Sequence, residues 1–215
     1  MVSRLRCFIG GILFCFFTSS FALHATENDD LVKAMMEVYA EELAANPQDY
    51  RTYYSRAMAY FGQGDMKKAL SDIDNAIKYF PRKEKDDLAQ AYLLRAKILS
   101  ERGETKSALT DLNSALRLVP NHRLALKDRG DLLCRLGQYD MAKIDYNHLL
   151  RMDTRSQSAF MGLARVEAHT GQPVRAKDLL AQAVNLSPKD PKIYLERSEI
   201  YKEMDMMPEA VDLLI

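Results

Sequence analysis

The sequence predicts an all-α fold built as a row of antiparallel helix pairs, and three observations carry that expectation. Pro and Gly are sparse, 7 and 9 in 215 residues of 47% hydrophobic composition, and Val, Ile and Thr never gather into alternating runs. The stretch from Tyr50 to Pro81 contains two amphipathic helical patterns, broken by Gly62-Gln63-Gly64-Asp65 and closed by Pro81. The same unit then recurs. Gly64-Asp65, Gly103-Glu104, Gly137-Gln138 and Gly171-Gln172 are spaced by 39 residues once and by 34 thereafter, and Ala69, Ala108, Ala142, Ala176 and Ala210 keep the same step. A period of 34 is typical of helix-turn-helix arrays, in which one hairpin cannot bury both its faces and needs its neighbours.

Residues 1–22 differ in kind. Arg4 and Arg6 precede the apolar run from Cys7 to Phe17, and Ser20-Phe21-Ala22 offers small residues where a signal peptidase reads, so cleavage is expected after Ala22, or secondarily after Ala25. The competing reading is a retained membrane anchor, because Cys7 to Leu23 is nearly long enough to cross a bilayer. A lipid-attachment motif does not fit, since Phe14 precedes Cys15. Export is the expectation, to the periplasm or envelope if the source is bacterial. Setting 30 Lys and Arg, less Arg4 and Arg6, against 30 Asp and Glu leaves about −2, which gives no long-range field for nucleic acid. Cys7 and Cys15 depart with the leader, so Cys134 stands alone and no internal disulfide framework is possible.

Residues 23–48 read as a leading helix from Glu27 to Asn46, with Leu31, Met35, Val38, Tyr39 and Leu43 on one stripe, and it is expected to shield the first hairpin. The array follows over 49–215, with repeats near 50–81, 89–120, 123–154, 157–188 and 191–215. The longer first spacing places about five extra residues around Arg82-Lys83-Glu84-Lys85-Asp86, a charged loop or an extended first turn of the next helix. Pro173 and Pro208 fall at the starts of second helices, where a missing N–H costs nothing. The apolar end, Val211, Leu213, Leu214 and Ile215, implies a covered face or a longer array, and self-association through that end is one expectation.

The repeated set resembles the tetratricopeptide repeat family. A large residue, a small one, a turn glycine, two small residues and a proline follow one another as Tyr53, Ala57, Gly64, Ala69, Ala76 and Pro81. They recur as Tyr92, Ala96, Gly103, Ala108, Ala115 and Pro120, and as Phe160, Ala164, Gly171, Ala176, Ala183 and Pro188. The third repeat keeps Gly130, Gly137 and Ala142 but has Leu126, Leu149 and Thr154 at the other sites. In the fourth, Glu167 stands where a bulky core residue is expected, and the fifth has Tyr194, Ser198 and Ala210 with Asp205 replacing the glycine. The resemblance covers about Asp49 to Ile215. It implies a right-handed superhelical solenoid of about five repeats, the last incomplete.

Little in the chain points to catalysis. His24, His122, His148 and His169 are scattered without ligand spacing, and no cofactor or metal is expected. Cys134 reads as an apolar filler or groove residue. No Walker loop, nucleophile elbow or dinucleotide fingerprint occurs, and Asp72/Asp74 and Asp86/Asp87 read as exposed-face acids. The expectation is a non-enzymatic scaffold or adaptor for a protein or peptide partner. The alternative is an accessory subunit of an envelope assembly, held through the apolar carboxy-terminal end.

The family resemblance implies that the first helix of each pair lines a concave groove. Transferred to this sequence, the inward positions are Arg51, Tyr54, Met58 and Phe61, then Gln90, Leu93 and Lys97, then Lys127, Asp131 and Arg135, then Met161, Arg165 and His169. The expected groove is apolar and aromatic at its start and basic in its middle, suited to an apolar anchor followed by acidic residues. The Lys-Asn-Arg clamp by which some members bind chaperone termini is absent, since Tyr54 and Met58 occupy its first sites.

Overall fold

The structure, a computed structural model, describes residues 24–204. The leader at 1–22 and the carboxy-terminal positions Asp205, Pro208, Ala210, Val211, Leu213, Leu214 and Ile215 lie outside the described residues. Among the described residues every regular element is an α-helix. One compact unit contains the single helix α1 (His24–Ala45), and the other begins at Gln48 and holds the array.

The array runs α2 (Tyr50–Gly62), α3 (Met66–Tyr79), α4 (Lys85–Glu101), α5 (Thr105–Leu118), α6 (Arg123–Arg135), α7 (Tyr139–Met152), α8 (Gln157–His169), α9 (Pro173–Leu186) and α10 (Pro191–Glu203). These pack as consecutive antiparallel pairs, α2 on α3, α4 on α5, α6 on α7 and α8 on α9. Each pair turns on a glycine in the left-handed region, Gly64, Gly103, Gly137 and Gly171 at φ 70–78°, where a side chain would be strained. Asp49, Asp65 and Asp190 cap helix starts by accepting backbone N–H bonds, and the His122 ring does the same for α6. The five extra residues of the first spacing divide between a short turn and a longer helix: α4 has 17 residues, where α2, α6 and α8 have 13. Glu84 in that turn accepts a hydrogen bond from the Tyr50 hydroxyl at 2.6 Å.

The alanines meet where the helices cross. Ala57, Ala69, Ala76, Ala89, Ala108, Ala115, Ala142, Ala164, Ala176 and Ala183 have no exposed surface, so helix axes approach closely and the larger side chains fill the flanks. Apolar contacts alone do not hold each pair. In the first three repeats an arginine of the first helix makes a two-pronged bond to an aspartate 16 residues on: Arg56 with Asp72 (2.6 and 2.8 Å), Arg95 with Asp111 (2.7 and 2.7 Å), and Arg129 with Asp145 (2.8 and 2.6 Å). Two of these arginines also reach the preceding repeat, Arg95 to Asp74 at 2.8 Å and Arg129 to Asn113 at 2.7 Å. The expectation that Asp72 and Asp74 are both exposed-face acids is therefore corrected. Asp72 is 4% exposed and lies between two helices, whereas Asp74 is exposed and joins successive repeats. In the fourth repeat the corresponding positions are Leu163 and Leu179, which join the main apolar core instead.

Candidate functional site

The first helices α4, α6 and α8 present one face together, and two clefts open along it. The first lies between α4 and α6, with a volume of about 270 Å³. Its floor is apolar, made by Ala96, Leu132 and, from the second helix α5 behind, Ala108 and Leu112, with Phe61 of α2 as an end wall. Its rim is polar: Lys97, Ser100 and Glu101 on the α4 side, Asp128, Asp131 and Arg135 on the α6 side. The second cleft continues from Asp131 and Arg135 to Cys134, Tyr139, Arg165, His169 and Glu203. Asp131 and Arg135 thus stand at the junction of both.

Most of the cations along this face are neutralised where they stand. Lys127 contacts Asp131 at 2.6 Å, Lys97 approaches Asp128 at 3.8 Å, and Arg165 lies 3.5 Å from Glu203, whose carboxylate is also 3.2 Å from the His169 ring. The expected basic middle of the groove is therefore a mixed-charge surface. Lys127 and Asp131 are one turn apart on α6, but the partners of Lys97, Arg165 and His169 come from the following repeat, which the spacing within one helix does not reveal. Arg135 is the exception, with no ion pair among the described residues: it donates to the Ser100 hydroxyl of the preceding repeat at 2.9 Å.

The other expected positions divide. Phe61, Lys97, Asp131, Arg135, Arg165 and His169 are brought together on the two clefts. Arg51, Tyr54 and Gln90 line a separate hollow with Tyr50, Ser55, Phe80 and Asp87, in which burial, aided by Asp87, pushes the Tyr54 phenol up. Lys127 lines a third hollow beside Arg123, Leu124 and Asp153, and Met58 is exposed. Leu93 and Met161 are not on the groove at all. They are 3% and 1% exposed and belong to apolar cores, although Tyr54 and Lys127 at the same repeat position line hollows. Ser100, Glu101, Asp128, Tyr139 and Glu203 were not anticipated. Glu101 was within reach of the period, since it stands 34 residues before Arg135.

Burial pushes the Cys134 thiol up, away from the thiolate a nucleophile needs, and its sulfur lies 3.8 Å from the Tyr146 hydroxyl. Among the described residues no three His, Cys, Asp or Glu side chains could hold a metal ion together, and no helix is long and apolar enough to cross a membrane.

The sequence profile of the tetratricopeptide repeat family matches residues 36–87, 54–123 and 127–191. No curated protein matches the chain. Among solved structures, a tetratricopeptide repeat protein from Parabacteroides merdae is 26% identical, with a TM-score of 0.75 over 87% of this chain and 72% of that one. MamA from Desulfovibrio magneticus is 18% identical, with a TM-score of 0.62 over 77% of this chain and 90% of that one. YrrB, described as a repeat protein of this kind with an unusual peptide-binding site, is 17% identical, with a TM-score of 0.60 over 82% and 88%. The last two likenesses are of fold.

Proposed function

The chain belongs to the tetratricopeptide repeat family, whose fold is that of an interaction scaffold, and on that premise we propose that it is an exported, non-catalytic adaptor holding a peptide or protein in its concave groove. The observation that carries this reading is the cleft between α4 and α6. An apolar floor of Ala96, Ala108, Leu112 and Leu132 lies under a charged rim, which is the make-up of a site for an anchoring side chain. The basic leader with Arg4 and Arg6, followed by an apolar run and Ser20-Phe21-Ala22, supports export.

Affinity capture from the envelope fraction of the source organism tests the groove. The intact chain should retain a partner, and Ser100→Tyr, which places a ring in the cleft, should lose it. Retention undiminished by Ser100→Tyr would overturn the groove as the binding surface. Export is checked on the same preparation by the mass of the purified chain, which should correspond to a start after Ala22 or Ala25 and not at Met1.

A further inference from the structure

Resting on the reading of the chain as a peptide-binding scaffold, we infer that the hollow between the first turns of α2 and α4 receives a basic side chain of the bound peptide, a lysine or an arginine. The hollow has a volume of about 260 Å³, room for one long side chain, and lies toward the opposite end of α4 from the cleft shared with α6. Its lining combines rings with a carboxylate. Tyr50, Tyr54 and Phe80 supply the rings, and Asp87, in the first turn of α4, is the one carboxylate among the described lining residues. The combination is peculiar to the first repeat, because Leu93, Lys127 and Met161 stand at the position of Tyr54 in the next three.

These groups are not equally free. Tyr50 packs on Phe80 with ring centroids 4.2 Å apart, and its hydroxyl donates to Glu84 at 2.6 Å while accepting from Nε of Arg51 at 3.0 Å. The Arg51 guanidinium also lies 5.4 Å from the Tyr50 ring centroid. Arg51, the one cation among the described lining residues, is therefore committed to Tyr50, with Glu84 and Asp49 as its nearby acids. Tyr54 and Asp87 have no such commitments. Among the described residues the Tyr54 hydroxyl makes no hydrogen bond and the exposed Asp87 carboxylate makes no ion pair. The two face one space, since Asp87 acts together with burial to push the Tyr54 phenol up. A half-buried ring beside an unpaired carboxylate attracts a cation, through the negative face of the ring and the charge of the acid, while a methylene stem packs on the apolar lining. An acidic ligand would meet Asp87 as a like charge, and a purely apolar one would desolvate it without a partner.

Random peptides displayed on phage and panned on the full chain test the assignment. The expected enrichment is a lysine or arginine at a constant position. In a synthetic copy of a selected peptide, replacing that base with norleucine should weaken binding to the parent chain by about fivefold, and binding to Asp87→Asn by less than about twofold. Tyr54→Leu should likewise shrink the difference between the two peptides, with far-UV circular dichroism showing unchanged helix content in both variants. A base preference that persists in Asp87→Asn and Tyr54→Leu, or selected peptides without a base, would overturn the inference; the groove reading then stands if Ser100→Tyr, toward the other end of α4, abolishes binding. Peptides that bind Ser100→Tyr undiminished yet remain coupled to Asp87 would overturn the cleft between α4 and α6 and support this hollow. No enrichment at all would overturn both.

Discussion

The hydroxyl of Tyr146 on α7 donates to Oδ1 of Asp131 on α6 at 2.7 Å, so a fully buried core side chain fixes a carboxylate at the junction of the two groove clefts. Lys127 holds the other oxygen at 2.6 Å. Tyr146 stands where the other repeats have Ile73, Leu112 and Leu180, and its larger ring needs space. Two glycines supply it: a Cβ built on Gly130 would come within 2.8 Å of the ring, and one on Gly162 within 2.3 Å. Gly130 replaces the alanine found as Ala57, Ala96 and Ala164. Burial pushes the Tyr146 phenol far up, so it remains a donor across the accessible pH range.

Gly162→Ala should consequently destabilise the chain by ~1–3 kcal/mol, because the ring is enclosed and cannot yield without moving α7. Tyr146→Leu in the same chain should recover a substantial part of that loss. Urea denaturation of the two single variants and the double variant checks this, and additive losses would show that the glycine and the ring are not packed as described.

The arginine–aspartate pairs give a second expectation, for which the fourth repeat supplies an internal control. Asp145 is 2% exposed, so Asp145→Leu alone leaves the Arg129 guanidinium without its two-pronged partner and should cost ~3–5 kcal/mol. Replacing both Arg129 and Asp145 with leucine reproduces Leu163 and Leu179. The double variant should be more stable than either single one by chemical denaturation; a double variant as unstable as the sum would contradict it.

Asp128 provides a pH dependence. Desolvation raises its pKa above the ordinary value of 3.8, and Lys97 opposes this only in part. The folded state therefore holds the proton more tightly than the unfolded one. Asp128 contributes most to stability below pH 3.8, and that contribution is lost as pH rises through the raised folded value. Glu196, also raised by burial, acts in the same direction. Asp128→Asn removes one such group, so its stability relative to the parent chain should be more favourable at pH 7 than at pH 4. A pH-independent difference would remove Asp128 from this role.

Two glycines of successive repeats should respond in opposite ways. Gly103 has φ 78°, so Gly103→Ala should cost ~1–2 kcal/mol despite open space around it. Gly62 ends α2 without a positive φ and also has open surroundings, so Gly62→Ala should be neutral or stabilising by up to ~1 kcal/mol. Thermal melts of the two variants separate these outcomes.

The repeat could be read from the chain because its period is imposed locally. Turn glycines such as Gly103, crossing alanines such as Ala108 and Pro173 at a helix start each act within one hairpin, and a period of 34 makes them visible. The groove was legible only in part. Arg135 and Asp131 lie where the first-helix register places them, but Leu93, on the same register, turns into the core. Glu167 shows the same limit in the core itself. It occupies a position bulky residues hold elsewhere, is 1% exposed, and is compensated by Lys143 of α7 at 2.7 Å and Arg175 of α9 at 3.6 Å, from the helices on either side of it in the chain.

The sequence by itself determined the helix pairs, their turns and their order, since backbone conformation and apolar periodicity act over neighbouring residues. Charge was decided by the tertiary structure. Lys97 met Asp128 of the next repeat and Arg165 met Glu203 on the next first helix, so the apparent basic stripe was largely neutralised, while Arg56 met Asp72 across its own hairpin. Coulomb attraction depends on distance in space, and stacking places residues 16 to 38 positions apart within 4 Å of one another. That Glu101 and Arg135 have no ion pair among the described residues, and that Arg135 reaches across to Ser100 of the preceding repeat, could be identified only after that stacking was known.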